Sequence, residues 1–174
     1  AGTLKRIDYS LIKGGGITEA DQFRLSASIS AGTNADITSN LERIDTTAGG
    51  QVPLGSAMTE SSGIFTFPST GIYLVRYIMF QDSNDGTVRG YGGGAIFVTV
   101  NDSAYAAVAN AYGSTPAIVG TSRMSNVCES LIDVTDVANV KVRFQTEMQN
   151  SAMKTFGSST ANKTTMTFLR LGDT

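Results

Sequence analysis

The feature that most constrains the fold of this chain is the strict alternation of apolar and polar residues in several short stretches. Residues 23–29, 96–100, 140–145 and 166–169 each place an apolar side chain at every second position. A period of two residues is typical of a β-strand with one face in a core and the other in solvent. We therefore expect Phe23, Leu25, Ala27 and Ile29 on one such face, and Ile96, Val98 and Val100 on another.

Residues 72–80 differ, because both faces of this stretch are apolar apart from Arg76. The pattern predicts a central strand that is covered on both sides. Turn residues separate the strands at short intervals, and Gly, Ser and Thr supply one third of the 174 residues. Residues 104–111 are rich in alanine and fit either a helix or a strand of small residues beneath a neighbouring chain. We expect an all-β fold, an antiparallel β-sandwich or barrel with little or no helix.

Several functions are disfavoured by what the sequence lacks. It contains no His, the commonest general base and zinc ligand, and its single Cys128 cannot form an intrachain disulfide. Its net charge of −2, without clustered basic residues, argues against nucleic-acid binding. No apolar run approaches the roughly 20 residues that span a bilayer, so membrane insertion is not expected. We predict that the protein is not an enzyme and needs no cofactor.

The first 16 residues differ from the rest, and we divide the chain into residues 1–16 and 17–174. The first segment mixes apolar and basic residues before three glycines, and it is either a first strand or an arm with a glycine hinge. As an arm it would dock on another subunit or surface through Leu4, Lys5, Arg6, Ile7 and Tyr9.

Residues 62–77 carry a recognisable motif, in which Phe65 stands six residues before Gly71 and Tyr73 and Tyr77 follow. This spacing resembles the globular head domain of complement component 1q, in the tumour-necrosis-factor jelly-roll superfamily; Val75 stands where that family usually has Phe. Residues 130–144 and 165–171 resemble its late strands. The resemblance implies a jelly roll whose core motif is Phe65, Phe67, Gly71, Tyr73, Tyr77 and Phe168.

Residues 58–68 also resemble complement-1q-like domains encoded by tailed bacteriophages. This resemblance implies a homotrimeric head decoration protein that stabilises the capsid, made in the host cytoplasm and displayed on the virion surface. The arm would then contact the phage capsid or another virion protein. The alternatives are a fibre knob that binds a host glycan or receptor, and a secreted complement-1q- or TNF-like ligand. In the family, trimers bury aromatic and small apolar residues along the axis, which points to residues 73–80 and 104–112.

Four further features of the sequence are candidate sites. Residues 82–86 are similar to a calcium loop, but we interpret them as a hairpin tip. The resemblance to the family allows a structural calcium ion, with no residue of this chain assigned as its ligand. Residues 90–94 lack the Lys-Ser/Thr of a phosphate loop and are read as close backbone packing. Cys128 is expected to be buried and inert. The tyrosines at 9, 91, 105 and 112 are expected to be exposed, for subunit packing or sugar stacking.

Overall fold

The computed structural model describes residues 16–30, 34–45, 50–83, 89–116 and 119–174, and these form two six-stranded antiparallel sheets without a helix. Sheet A contains β1 (Ala20–Leu25), β3 (Leu41–Arg43), β6 (Gly71–Ser83), β9 (Ser122–Val134), β11 (Met153–Thr155) and β12 (Thr165–Gly172). Sheet B contains β2 (Ala35–Asp36), β4 (Thr59–Ser61), β5 (Ile64–Thr66), β7 (Arg89–Thr99), β8 (Ala106–Thr115) and β10 (Lys141–Met148). The predicted all-β antiparallel sandwich is confirmed.

The order of the strands in the sheets differs from their order in the chain. In sheet A, β6 lies between β9 and β12, and β12 lies between β6 and β1. In sheet B the order is β4-β5-β10-β7-β8, with β2 also paired to β10. Strands that are distant in sequence are therefore neighbours, as in a jelly roll.

The two sheets pack over an aromatic core. The ring of Phe65 in sheet B lies 5.0 Å from that of Phe23, 5.2 Å from Phe168 and 5.4 Å from Phe144. Phe67 follows β5 and contacts Tyr73, with 4.7 Å between ring centroids. All of these side chains are buried. Because each large side chain contributes roughly 1.5–3 kcal/mol on burial, this cluster dominates the core.

Glycines allow two close backbone approaches in this packing. Gly71 begins β6 with φ of 143°, and a Cβ there would lie 2.5 Å from the carbonyl oxygen of Gly172. Within β7, Gly92 and Gly94 face the core, where added Cβ atoms would lie 2.6 Å from Met124 Cε and 2.7 Å from Met79 Sδ. The glycine-rich segment 90–94 therefore brings the backbone of β7 close to the opposite sheet.

The first alternating stretch departs from its pattern. β1 ends at Leu25, and Ala27, predicted to face the core, is exposed. Arg24, predicted on the solvent face, is only 1% exposed. Its guanidinium lies 3.1 Å from Glu42 and 3.3 Å from Asp45, and these carboxylates allow the charge to be buried.

Two other predictions need correction. Val100 does not continue the buried face of β7, because the strand ends at Thr99 and Val100 is exposed in the following turn. The strand predicted at 72–80 is central, as β6, yet the side chains on its second face are only half-buried. No described strand covers that face, because sheet B packs against the other one. The alanine-rich residues 106–111 form part of β8, and no helix is present there.

Candidate functional site

The outer face of sheet A carries an unusual number of aliphatic side chains for a surface that no other described element covers. Leu74 of β6 lies opposite Leu131 of β9 on one side and opposite Leu169 of β12 on the other. Four residues further along β6, Ile78 lies opposite Val127. We call Leu74, Ile78, Val127, Leu131 and Leu169 the aliphatic face. Leu131 is 64% exposed, and contiguous exposed apolar surface is characteristic of interaction sites.

A charged pair interrupts this surface. Between the two aliphatic rows, the Nε of Arg76 donates a hydrogen bond of 2.8 Å to Glu129 on the neighbouring strand. Both side chains are about half exposed, so the pair adds little to the stability of a single chain. In an interface it would instead fix the register of the two partners.

The strand β8 provides a second exposed surface next to the aliphatic face. Among the described strands, β8 pairs only with β7, so its outer edge carries unpaired backbone groups. The side chains at its beginning are small and exposed, namely Ala106, Ala107 and Val108. Unpaired edges favour pairing or packing with another chain. The predicted contact segments 73–80 and 104–112 therefore lie on two surfaces, the outer face of sheet A and the edge of sheet B.

The outer face of sheet B carries a groove that is lined by Asn34, Tyr91, Tyr112 and Glu147, and we call it the tyrosine groove. The pairing of three strands brings the lining residues together. Glu147 of β10 lies opposite Gly93 of β7, and Gly93 in turn lies opposite Tyr112 of β8. Gly93 leaves the floor without a side chain, and a Cβ there would collide with the carbonyl oxygen of Ala111. The open space in the groove is about 390 Å³.

A carboxylate and a phenol interact inside the groove. The hydroxyl of Tyr112 donates a hydrogen bond of 2.5 Å to Oε2 of Glu147. This bond, together with burial, raises the pKa of Tyr112 to about 12, because loss of the proton would place two negative charges together. The Tyr91 ring stands edge-on to the Tyr112 ring at 84°, with 6.3 Å between centroids. The arrangement offers a negative charge and two aromatic rings to a ligand.

Of the tyrosines expected to be exposed, Tyr91 and Tyr112 line this groove, and Tyr9 lies outside the described residues. Tyr105 differs, because it is half-buried beneath the guanidinium of Arg143, 4.6 Å from its ring centroid. The prediction of an exposed ring at 105 is therefore wrong. Arg143 reaches it from β10 across β7, where its guanidinium also lies 5.2 Å from the Phe97 ring centroid.

Cys128 lies in β9 with its side chain in the core, opposite Tyr77 of β6. Burial raises the pKa of its thiol to about 11. Because the thiolate is the reactive form, this cysteine is poorly suited to nucleophilic chemistry at neutral pH.

The remaining predicted sites are only partly described. Asp82, first in the segment read as a hairpin tip, is buried at the end of β6, and burial raises the pKa of its carboxyl. Residues 84–86 lie outside the described residues, as do Leu4, Lys5, Arg6, Ile7 and Tyr9 of the arm. The described residues contain no group of three or more Cys, Asp or Glu side chains placed to hold a metal ion. They also contain no helix that is long and apolar enough to cross a membrane.

Sequence patterns single out neither Glu147 nor Asn34 as a site residue. Glu147 follows the alternating stretch of β10, where it is indistinguishable from a solvated charge. The only signal is Tyr91 within the glycine run of β7 and Tyr112 before Gly113 in β8, together with the polar positions of β10. Their convergence depends on the register of three strands, which the sequence does not state.

Comparison with known proteins supports the fold and nothing finer. No protein-family model matches the chain, and no curated protein sequence matches it significantly. The solved structures that match include murine APRIL at pH 5.0, with a TM-score of 0.62 and 11% identity over 88% of this chain and 98% of that one. Eiger TNF from S. frugiperda matches with a TM-score of 0.56 and 14% identity over 91% and 96% of the two chains. The chain therefore has the jelly-roll fold of tumour-necrosis-factor-like proteins.

Proposed function

We propose that this protein is a non-enzymatic homotrimer that acts by assembly and display rather than by catalysis. The aliphatic face is the observation that carries the proposal, because a single chain leaves Leu131 and its neighbours in water. The exposed edge of β8 offers a second, different surface beside it. When the edge of one subunit packs on the face of the next, the contact is heterologous, and three such contacts close a ring.

Native mass in solution tests this assembly. Light scattering after size exclusion should give three times the chain mass of 18.3 kDa. A mass of 18.3 kDa at every concentration tested would contradict self-assembly through the aliphatic face. A dimer would contradict the cyclic three-fold arrangement.

For a homotrimer of this kind, our leading proposal is a head decoration protein that stabilises the capsid of a tailed bacteriophage from outside. It is supported by the resemblance of residues 58–68 to phage-encoded domains. Residues 1–16 would form the capsid-binding arm, with Lys5 and Arg6 among its contacts. The protein would be made in the host cytoplasm and located on the virion surface.

Capsid binding distinguishes this role from others. The full chain should co-sediment with expanded heads of a tailed phage that carries such a domain. Deletion of residues 1–16 should abolish binding while the native mass remains that of a trimer. Binding that survives the deletion would contradict the role of the arm. Failure of the trimer of the undeleted 174-residue chain to bind any such head would contradict the decoration role itself.

The second candidate is a recognition module, either a fibre knob or a secreted TNF-like ligand. Two observations favour it: the tyrosine groove is open to solvent, and the matching structures include Eiger TNF. A glycan array and binding to intact cells would test this candidate. If the trimer binds cells or glycans and does not bind phage heads, recognition would replace decoration as the proposed role.

A further inference from the structure

We propose that the tyrosine groove binds one cationic side chain, a lysine or arginine, that is presented by a partner polypeptide. The groove consists of Asn34, Tyr91, Tyr112 and Glu147 on the outer face of sheet B, away from the aliphatic face of sheet A. Tyr112 belongs to β8, but its side chain lies on the outer face of sheet B and not at the strand edge that the proposed trimer uses. The inference therefore goes beyond trimer assembly and does not depend on the decoration role.

The charge of Glu147 is the first step in the argument. Three carboxylate residues are buried among the described ones, and two of them have cations nearby. Asp21 accepts from Arg43 at 3.1 Å, and Asp82 lies in the field of Lys154, Arg123 and Lys163. Glu147 is 8% exposed, and its hydrogen-bond partner in the described chain is the neutral hydroxyl of Tyr112. A carboxylate so far removed from water favours an incoming positive charge.

The aromatic rings supply the second step. The face of a tyrosine ring carries partial negative charge and attracts a cation within about 6 Å of its centroid. Tyr91 and Tyr112 stand nearly perpendicular, and they remain 37% and 49% exposed, so ring surface is accessible beside the carboxylate. The same protein already uses this contact internally, where Arg43 lies 4.8 Å from the Phe23 ring centroid. Two rings and one carboxylate thus offer matching electrostatics to a single cation.

The room in the groove favours a side chain as the source of that cation. Because Gly93 has no side chain, Tyr112 reaches across β7 to Glu147, and a slender side chain can approach this hydrogen-bonded pair from the open side of the groove, beside the Tyr91 ring. A space of about 390 Å³ is larger than an ammonium ion requires and suits a long aliphatic stem with a charged end. Lysine and arginine have such stems, which pack on apolar surface while the charged group seeks a carboxylate. The opening lies on a sheet surface, where another protein can approach.

Blocked amino acids test the chemistry directly. The ring signals of Tyr91 and Tyr112 would be followed by nuclear magnetic resonance while N-acetyl-lysine methylamide or N-acetyl-arginine methylamide is added. We expect saturable shifts with both, and at least tenfold weaker binding of the citrulline analogue, a neutral isostere of arginine. Binding should also weaken as sodium chloride is raised. Citrulline or methyl glycosides that bind as well as arginine would overturn the proposal, and so would the absence of saturable binding by either cation.

Binding of free propylammonium distinguishes a small amine from a polypeptide side chain as the source of the cation. The polypeptide source requires blocked lysine to bind more tightly, because its backbone amides and full stem add contacts along the groove. Equal affinity for propylammonium would assign the groove to small amines and overturn the partner-protein assignment.

Two charge-removing variants complete the test. Glu147→Gln keeps the shape of the side chain, and we expect it to weaken binding of the arginine probe at least tenfold. Asp133→Asn, which removes an exposed carboxylate from sheet A, should leave binding unchanged. Thermal melting of both variants checks that the fold is retained. Equal binding by Glu147→Gln and the parent chain would overturn the role of the carboxylate.

Discussion

Tyr73 and Tyr77 lie on the same buried face of β6, four residues apart, yet only one of the two hydroxyls has a hydrogen-bond partner among the described residues. Tyr73 donates to Glu19 at 2.6 Å and lies 3.0 Å from the hydroxyl of Ser69. The hydroxyl of Tyr77 is fully buried, and no described group accepts from it or donates to it. Both rings are buried on one face of the same strand, so the two tyrosines can be compared to measure the cost of an unsatisfied hydroxyl.

We predict that Tyr77→Phe raises the free energy of unfolding at pH 7, by about 1 kcal/mol, because it removes a buried polar group that has no partner in the described chain. Tyr73→Phe should lower it by about 1 kcal/mol, because it breaks the bonds to Glu19 and Ser69. Urea denaturation followed by circular dichroism measures both. A loss of stability in Tyr77→Phe would indicate that its hydroxyl has a partner in solution.

Buried acids of the core predict a loss of stability at alkaline pH. Burial raises the pKa of Cys128 from 9.0 to about 11 and that of Tyr73 from 10.0 to about 12, and it also raises the pKa of Tyr77. The unfolded chain therefore releases these protons first and binds fewer of them, so the free energy of unfolding falls as pH rises above about 9. Denaturation at intervals from pH 7 to 10.5 should show the decline. Cys128→Ala should make it shallower between pH 9 and 11, and an unchanged slope would contradict the raised thiol pKa.

Truncation of the central ring of the core should be severe. Phe65 contacts Phe23, Phe144 and Phe168, and Phe65→Ala should lower the free energy of unfolding by roughly 3–5 kcal/mol. Ile64→Ala is the matched control, because its side chain is the exposed neighbour on the same strand and should cost less than about 1 kcal/mol. Equal losses in the two variants would contradict the inward orientation of Phe65.

A charge on the aliphatic face should prevent self-association. Leu131→Asp places a carboxylate beside Leu74, and we expect the native mass to fall from that of a trimer to the single-chain value of 18.3 kDa. The monomer should stay folded, because Leu131 is exposed within one chain. Val100→Asp, at an exposed turn after β7, controls for added charge and should leave the trimer mass unchanged. Trimers of Leu131→Asp would locate the interface elsewhere.

The alternating stretches predicted the strands well where the alternation continued through the whole element. Val142, Phe144, Met166 and Phe168 all face the core, as a period of two requires. Prediction failed where a tertiary contact replaced the local rule. Arg24 is buried because Glu42 and Asp45 neutralise it, and those partners come from a separate segment of the chain.

The tyrosine groove could not be predicted for a related reason. Tyr112 and Glu147 are 35 residues apart and meet only because both register with Gly93. A shift of one residue in either pairing would turn one of the two side chains into the core. The types of residue were visible in the sequence, but their meeting point depends on long-range strand pairing.

The pairing of β12 between β1 and β6 has a consequence for biosynthesis. Sheet A cannot close until residues 165–172 have left the ribosome, although Phe23 and Tyr77 emerge much earlier. Until then, β1 and β6 lack the strand that joins them. Such long-range pairing folds slowly, in milliseconds to seconds, and exposes surface that aggregates.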